Sequence, residues 1–246
     1  MKSGILEEGR VIRKETGTPQ GGIISPVLGN IYLHFVLDDW FEKVVKKECR
    51  GYAGLVRYAD DSVACFQNKE EAEKYLRSVK QRLAKFGLEI AEEKTKIIEF
   101  GKYAERNRKA RGERKPETFE FLGFTHYCSV SRKGKFRTKR KTSAKKMRSK
   151  AKEIKEWLWG RMHMNVSETI EQLNIKLRGY YRYYGITDNT EAMRKFWGII
   201  INQLYKVLNR RTQKNKMNFK EYYNKVAKKI IRAKIYVDIV KMSLAM

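Results

Sequence analysis

A chain of 246 residues can bury a sizeable core, and its 41% hydrophobic and 12% aromatic content is that of a folded protein rather than a disordered tail. Its 55 Lys and Arg against 28 Asp and Glu leave a net charge of +27, which selects a polyanion as partner. No apolar run approaches the ~18 residues of a spanning helix and no signal-like start is present, while the scattered Cys49, Cys65 and Cys128 suggest neither a disulfide framework nor a zinc site.

The charge is uneven along the chain. Residues 1–100 carry 17 basic and 16 acidic side chains, whereas residues 101–246 carry 38 and 12. The second half is therefore the expected polyanion-binding part, with nucleic acid ahead of an anionic membrane surface. Together with the missing membrane signals this predicts a cytoplasmic nucleic-acid-binding protein. His34, His126 and His163 are as dispersed as the cysteines and are read as structural or surface residues.

In chain order, Gly17-Thr18-Pro19-Gln20-Gly21-Gly22 is a glycine-rich loop whose backbone can approach a ligand closely. It lacks the lysine and hydroxyl spacing of a phosphate loop, and a tight turn explains it about as well as a binding role. Ser25-Pro26 then opens a helix, serine as N-cap and proline in the first turn, with Val27, Leu28, Ile31, Phe35, Trp40, Phe41 and Val44 on its expected buried side. Residues 55–58 and 63–66 read as the strands of a hairpin, with Cys65 as a small core residue. A second helix starts at Asn68, with Glu71 placed for a capping box and Ala72, Tyr75, Leu76, Val79, Leu83 and Phe86 as its stripe; Gly87 ends it. Residues 88–90 and 95–100 are predicted as short strands, residues 102–116 as a basic connection, and residues 119–124 as strand-like.

From about residue 140 the pattern is helical. Met147, Ala151, Ile154 and Leu158 form one stripe, flanked by Lys145, Lys146, Arg148, Lys152 and Lys155. Ser167 is the expected cap of a helix carrying Ile170, Leu173, Leu177, Tyr180, Tyr181 and Tyr184. Asn189 or Thr190 is the expected cap of another with Met193, Phe196, Trp197, Ile200, Leu204 and Val207, and Phe219, Tyr222, Tyr223 and Val226 mark a last one. The chain therefore reads as α+β over residues 1–128, then basic and all-helical over 140–246.

Two adjacent aspartates, Asp60 and Asp61, fall at the tip of the predicted hairpin. Unpaired carboxylates about 4 Å apart repel by about 4 kcal/mol at an effective dielectric near 20, so a rigid turn that presents both has a use for a cation. Mg²⁺ is typically held by one or two carboxylates plus substrate phosphates. Taken alone, an Asp-Asp turn is more often merely solvated.

The ordered set of blocks changes that balance. Residues 17–26, Asn30-Ile31-Tyr32-Leu33 and Arg57-Tyr58-Ala59-Asp60-Asp61 together resemble the palm of a bacterial group II intron-encoded reverse transcriptase. Gly87-Leu88 with Lys94-Thr95 resembles the next block of that family, and Phe121-Leu122-Gly123-Phe124 its primer grip. Leu173-Asn174 with Arg178-Gly179-Tyr180-Tyr181-Arg182-Tyr183-Tyr184 resembles the thumb, or maturase, domain. The resemblance implies a partial palm over residues 1–128 (an antiparallel sheet with helices), an all-α basic thumb over 129–188, and a C-terminal helical segment over 189–246 that is a candidate DNA-binding element.

It further implies RNA-directed DNA polymerisation by two-metal nucleotidyl transfer, with Mg²⁺ as cofactor and Asp60 and Asp61 as catalytic and metal-binding residues. Pro19, Gln20, Gly21, Gly22, Tyr58, Ala59 and Lys94 would line the nucleotide and template pocket, although Lys94 is about as well read as a plain surface lysine. Phe121, Leu122, Gly123 and Phe124 would seat the primer. Lys145, Lys146, Arg148, Lys152, Arg178 and Arg182 would hold intron RNA, and Tyr180, Tyr181, Tyr183 and Tyr184 either offer stacking faces or pack in the core, at least two of them in the core. Implied partners are group II intron RNA, an RNA template with its DNA primer, target DNA, and a second chain supplying the fingers. Only sixteen residues precede Gly17 and none is Asp, so the third carboxylate of the family's active site has no counterpart. The expectation is an N-terminally truncated chain that makes no DNA alone, with an RNA-binding splicing cofactor as the alternative.

Overall fold

The computed structural model describes residues 5–7, 10–12, 24–131, 133–211 and 216–239, and comprises two units, Met1–Ile98 and Glu99–Met246. The glycine-rich loop with Pro19, Gln20, Gly21 and Gly22 lies outside the described residues.

In the first unit, β1 (Ile5–Glu7) and β2 (Arg10–Ile12) pair antiparallel. Helix α1 (Ser25–Leu33) continues through two π-helical stretches, His34–Asp38 and Phe41–Val45, into α2 (Lys46–Glu48). A π turn spaces its hydrogen bonds one residue wider than an α turn and so rotates every later side chain around the axis. The expected buried side is wrong in part, and beyond Leu33 this re-phasing is the reason. Val36, Leu37, Phe41 and Val45 are buried, while Val27, Ile31, Phe35 and Val44 are exposed. Ser25 is the first helical residue rather than the cap, which is Ile24.

Strands β3 (Ala53–Tyr58) and β4 (Asp61–Phe66) form the expected hairpin, paired from Ala53 opposite Phe66 to Tyr58 opposite Asp61. Its inner face lays Ala53, Leu55, Ala64 and Phe66 on Phe41 and Val45. Cys65 is not a core residue: it pairs with Gly54 on the opposite face and is exposed. Helix α3 (Lys69–Lys85) packs Val79 and Leu83 against Val36 and Leu37, and Gly87 follows it with φ 69°. Asn68 is its N-cap but makes no side-chain cap bond, and the Glu71 carboxylate accepts from the Arg50 amide at 2.7 Å rather than closing a capping box. Residues 88–90 and 95–100 are not strands. Leu88 and Ile90 use their apolar side chains against the α3 core, a 3-10 turn (Glu92–Lys94) separates the two segments, and no described strand pairs with either.

The second unit begins with α4 (Ala104–Ala110), followed by an antiparallel sheet of β5 (Phe119–Phe121), β6 (Phe124–Val130) and β7 (Phe136–Thr142) in that order. Strand β7, Phe-Arg-Thr-Lys-Arg-Lys-Thr, carries almost no apolar residues, so its strand nature is invisible to hydrophobic patterning. Helices α5 (Ala144–Gly160), α6 (Val166–Tyr184), α7 (Thr190–Arg210) and α8 (Phe219–Lys225) then build the main core. All four predicted apolar stripes meet there. Ile154, Leu158, Leu173, Leu177, Tyr181, Met193, Phe196, Ile200 and Tyr222 are fully buried, each apolar side chain contributing roughly 1.5–3 kcal/mol by leaving water. The α6 cap is Asn165, whose side chain accepts from the Ser167 and Glu168 amides, not Ser167.

The sheet and helices are joined by one buried polar residue. Asn189 donates to the Thr142 hydroxyl and the Tyr184 carbonyl and accepts from the Thr142 amide, each at 2.8 Å. This network occupies the side chain expected to cap α7, and leaves no cap bond there. The segment 229–237 is held by Asn174, which donates to the Lys229 carbonyl and accepts from the Ile231 amide, and by a parallel bridge of Ile186 with Val237.

Candidate active-site turn and nucleic-acid surface

The β3–β4 turn consists of Ala59 and Asp60, between the paired Tyr58 and Asp61. Ala59 sits in the left-handed region at φ 49°, a conformation that a non-glycine residue adopts at a cost and that recurs at functional turns. Tyr58, Ala59, Asp60 and Asp61 are all exposed. Register puts Asp61 on the open face of the hairpin with Val56, Tyr58, Val63 and Cys65, away from the helices. Lys94 is exposed in its 3-10 turn.

What fixes this turn is Arg57, on the inner face. Its guanidinium meets Asp38 in two bonds, Nε to Oδ1 at 2.7 Å and Nη2 to Oδ2 at 2.6 Å. The remaining nitrogen donates to the Asn30 side-chain oxygen at 2.9 Å and to the Ala59 carbonyl at 3.0 Å. One arginine thus ties the helical stretch through residues 30 and 38 to the turn itself. Bonding to Arg57 holds the Asp38 carboxyl below the usual carboxylate range, against the opposing effect of its partial burial, and Asp38 in turn raises Arg57. Asn30 and Asp38 reach the same guanidinium from the two sides of the α-to-π change at Leu33, so α-helical spacing gives no sequence signal for this brace.

The donor chemistry fits a hard divalent cation: carboxylate oxygens on a braced turn, with room for water or phosphate oxygens to complete the shell. Among the described residues no group of three or more His, Cys, Asp or Glu side chains is gathered to hold a metal.

In the second unit, residues 121–124 form a two-residue hairpin turn, Phe121 pairing with Phe124. Leu122 (φ 49°) and Gly123 (φ 75°) are both left-handed, as a type I′ turn requires. The turn is held by α6: the Tyr183 hydroxyl donates to the Leu122 carbonyl at 2.9 Å, and the Phe124 ring stacks on Tyr183 and meets Tyr184 edge-on. Tyr180 and Tyr181 are buried, Tyr180 stacked on Phe196 at 3.9 Å, and burial pushes both phenols upward; these two pack in the core, as expected. Tyr183 is 54% exposed.

Lys145, Lys146, Arg148, Lys152, Arg178 and Arg182 are all exposed, on the faces of α5 and α6 opposite their buried stripes. Glu156 lies 3.8 Å from Lys152; none of the other five has an ion pair among those of the described residues. The first turn of α5 has no acidic residue. Cations there oppose the helix dipole, at roughly 0.3–1 kcal/mol each. The basic β7 strand, running directly into α5, adds Lys139, Arg140 and Lys141 to the same stretch of chain, residues that hydrophobic patterning does not single out. No helix among the described residues is long and apolar enough to cross a membrane.

Two family models match successive parts of the chain. The family model "Reverse transcriptase (RNA-dependent DNA polymerase)" matches residues 5–126, and that of the "Group II intron, maturase-specific domain" matches residues 137–232. The group II intron-encoded protein LtrA of Lactococcus lactis subsp. cremoris, and its counterpart in strain MG1363, are each 29% identical over 115 residues, covering 43% of this chain and 19% of theirs. The match thus spans less than a fifth of the length of those relatives. Reverse transcriptases generally use divalent metal ions, and a maturase domain points to intron RNA as ligand. With the two domains matched in order, the chain belongs to the group II intron-encoded reverse transcriptase and maturase family.

Proposed function

We propose that the chain binds group II intron RNA through α5 and α6, and that its Asp60–Asp61 turn is the metal-binding part of a nucleotidyl-transfer site that copies RNA into DNA. The observation that carries the RNA reading is the start of α5. Lys145, Lys146 and Arg148 crowd the positive end of a helix that has no acidic residue in its first turn. That arrangement is unfavourable in the free protein and favourable once phosphates sit against it. Arg178 and Arg182, one turn apart on α6, extend the cationic surface. An RNA template with its DNA primer is the ligand of the 121–124 turn, the C-terminal helices are candidates for target DNA, and the site of action is the cytoplasm.

At the turn, Asp60 and Asp61 would hold Mg²⁺. Two such ions supply activation of a primer hydroxyl and neutralisation of triphosphate charge when bound. The residues of this chain present the carboxylates: Arg57 fixes the Ala59 carbonyl, and the exposed Tyr58, Ala59 and Lys94 would border the nucleotide side. A second reading is a splicing cofactor without polymer chemistry, favoured by the placement of the exposed cations of α5 and α6 in the part matched by the maturase-specific model. A second chain that brings fingers and the third carboxylate would reconcile the two.

Two assays separate the readings. The purified 246-residue chain is expected to promote self-splicing of its intron RNA at Mg²⁺ concentrations too low for the RNA alone, and to lose this with Arg178→Gln and Arg182→Gln combined. It is expected to give no primer extension on a primed RNA template. Robust Mg²⁺-dependent extension abolished by Asp60→Asn would overturn the cofactor reading, and absence of splicing rescue would count against the RNA reading.

A further inference from the structure

We infer that Tyr183 is a positioning residue for the 121–124 turn, a strut through which the maturase helix α6 sets the shape of the primer seat. The inference rests on the reading of that turn as the primer seat. It begins with a misfit between sequence and conformation. A two-residue turn with both central residues at positive φ ordinarily takes Asn-Gly or Asp-Gly, because a side chain with a Cβ crowds the following carbonyl there. Here the first position is Leu122, at φ 49°. Such strain persists only where surrounding contacts over-determine it.

Those contacts come mainly from α6. The Tyr183 hydroxyl donates to the Leu122 carbonyl at 2.9 Å. The Tyr183 ring lies near-parallel to Phe124, centroids 5.9 Å apart and planes 16° apart, and meets Tyr184 edge-on at 4.8 Å. The Tyr184 hydroxyl fills the space beside Gly123, 2.9 Å from where a Cβ would stand, which adds to the preference for glycine that its φ of 75° already sets. The Ser143 amide donates to the Gly123 carbonyl at 2.9 Å and completes the clamp. Behind it, Asn189 fixes the Tyr184 carbonyl to Thr142.

Tyr183 is 54% exposed, so its hydroxyl has water as an alternative partner and burial does not force this bond. One ring face is already taken by Phe124, which leaves Tyr183 better suited to shaping the turn than to sandwiching a base. Arg182 precedes it on α6, and Gly179, one turn earlier, has open space around it. RNA held along that face of α6 would therefore lie beside the same strut.

The test is amide hydrogen exchange on the full chain. Tyr183→Phe keeps the ring and removes only the bond. It is expected to raise exchange of the amides of residues 121–124 about fivefold, the worth of one net hydrogen bond, with α7 amides unchanged. Adding Leu122→Asn, which tolerates the left-handed region, is expected to restore protection in the Tyr183→Phe background. Unchanged exchange at 121–124, or an equal rise throughout α7, would overturn the strut. Affinity for a DNA primer annealed to an RNA template, measured beside single-stranded RNA, tests the underlying reading separately. A duplex-specific loss of about fivefold in Tyr183→Phe supports both. Lost protection with unchanged duplex affinity supports the strut and refutes the primer seat.

Discussion

Gly185→Ala is expected to destabilise the second unit by about 3–4 kcal/mol, among the largest effects of any single substitution in the chain. Gly185 follows α6, and its φ of −76° is open to any residue, so the requirement is space. An added Cβ would overlap the Tyr181 carbonyl oxygen, lie 2.6 Å from the Lys234 carbonyl oxygen and 2.8 Å from the Tyr236 ring. Two of those neighbours are backbone and cannot rotate away. Relief would pull the 234–237 segment off α6, breaking the bonds of the Tyr236 and Val237 amides to the Gly185 carbonyl and the bridge of Ile186 with Val237. Thermal unfolding reads the result. At roughly 2–4 °C per kcal/mol for a unit of this size, the melting temperature should fall by roughly 10 °C. A shift within a degree or two would show that the C-terminal segment is not packed as described.

Arg57→Ala is expected to cost the first unit about 2–3 kcal/mol and to loosen the aspartate turn. The Arg57 side chain is 11% exposed and its guanidinium makes four bonds, so its removal strands Asp38 beside the helix and frees the Ala59 carbonyl. Asp38 keeps 28% of its side-chain exposure, which is why the expected cost is below that of a fully buried pair. The same pair carries a pH signature. The folded Asp38 carboxyl titrates below its unfolded value of about 3.9, so its contribution is complete above that pH and is lost as pH falls through the depressed value. Asp38→Asn should make the first unit less stable at neutral pH and flatten its loss of stability on acidification. An unchanged acid limb would show that the Arg57–Asp38 bonds do not form in solution.

The parts of the molecule legible in the sequence are those where one physical rule dominates. The α5, α6 and α7 stripes obey the 3.6-residue period, and Ile154, Leu173, Leu177, Phe196 and Ile200 are buried as that period demands. The β3–β4 hairpin is equally direct, apolar flanks around two acidic residues. Failures occur where two rules compete. The π turns after Leu33 re-phase the helix, so that Val36, Leu37, Phe41 and Val45 face the core while Phe35 and Val44 face outward. Strand β7 pairs along all of β6 although nearly every residue in it is basic or hydroxylated, because its backbone bonds and ladder partners, not its own hydrophobicity, hold it in place. Asn189 is the α7 N-cap residue as expected, but its side chain serves a fully buried junction instead of a cap bond, a role that becomes visible only when Thr142 and Tyr184 are brought to it.

The candidate site divides in the same way. Asp60 and Asp61 stand out because adjacent carboxylates on a turn need a reason. Arg57 and Asp38 do not, since their meeting depends on a helix and a strand whose residues are nineteen apart. Exposure of the six α5 and α6 cations follows from their positions opposite the apolar stripes, so this cationic surface was readable from periodicity and charge together.

Affinity of the 246-residue chain for its intron RNA as a function of salt tests the central claim most directly. If Lys145, Lys146, Arg148, Lys152, Arg178 and Arg182 all meet phosphates, a log–log plot of association constant against salt should have a slope of about −4 to −5. Replacing Arg178 and Arg182 by Gln should weaken binding and make that slope shallower by about 1.5–2. A slope near zero, or one that these substitutions leave untouched, would contradict the account.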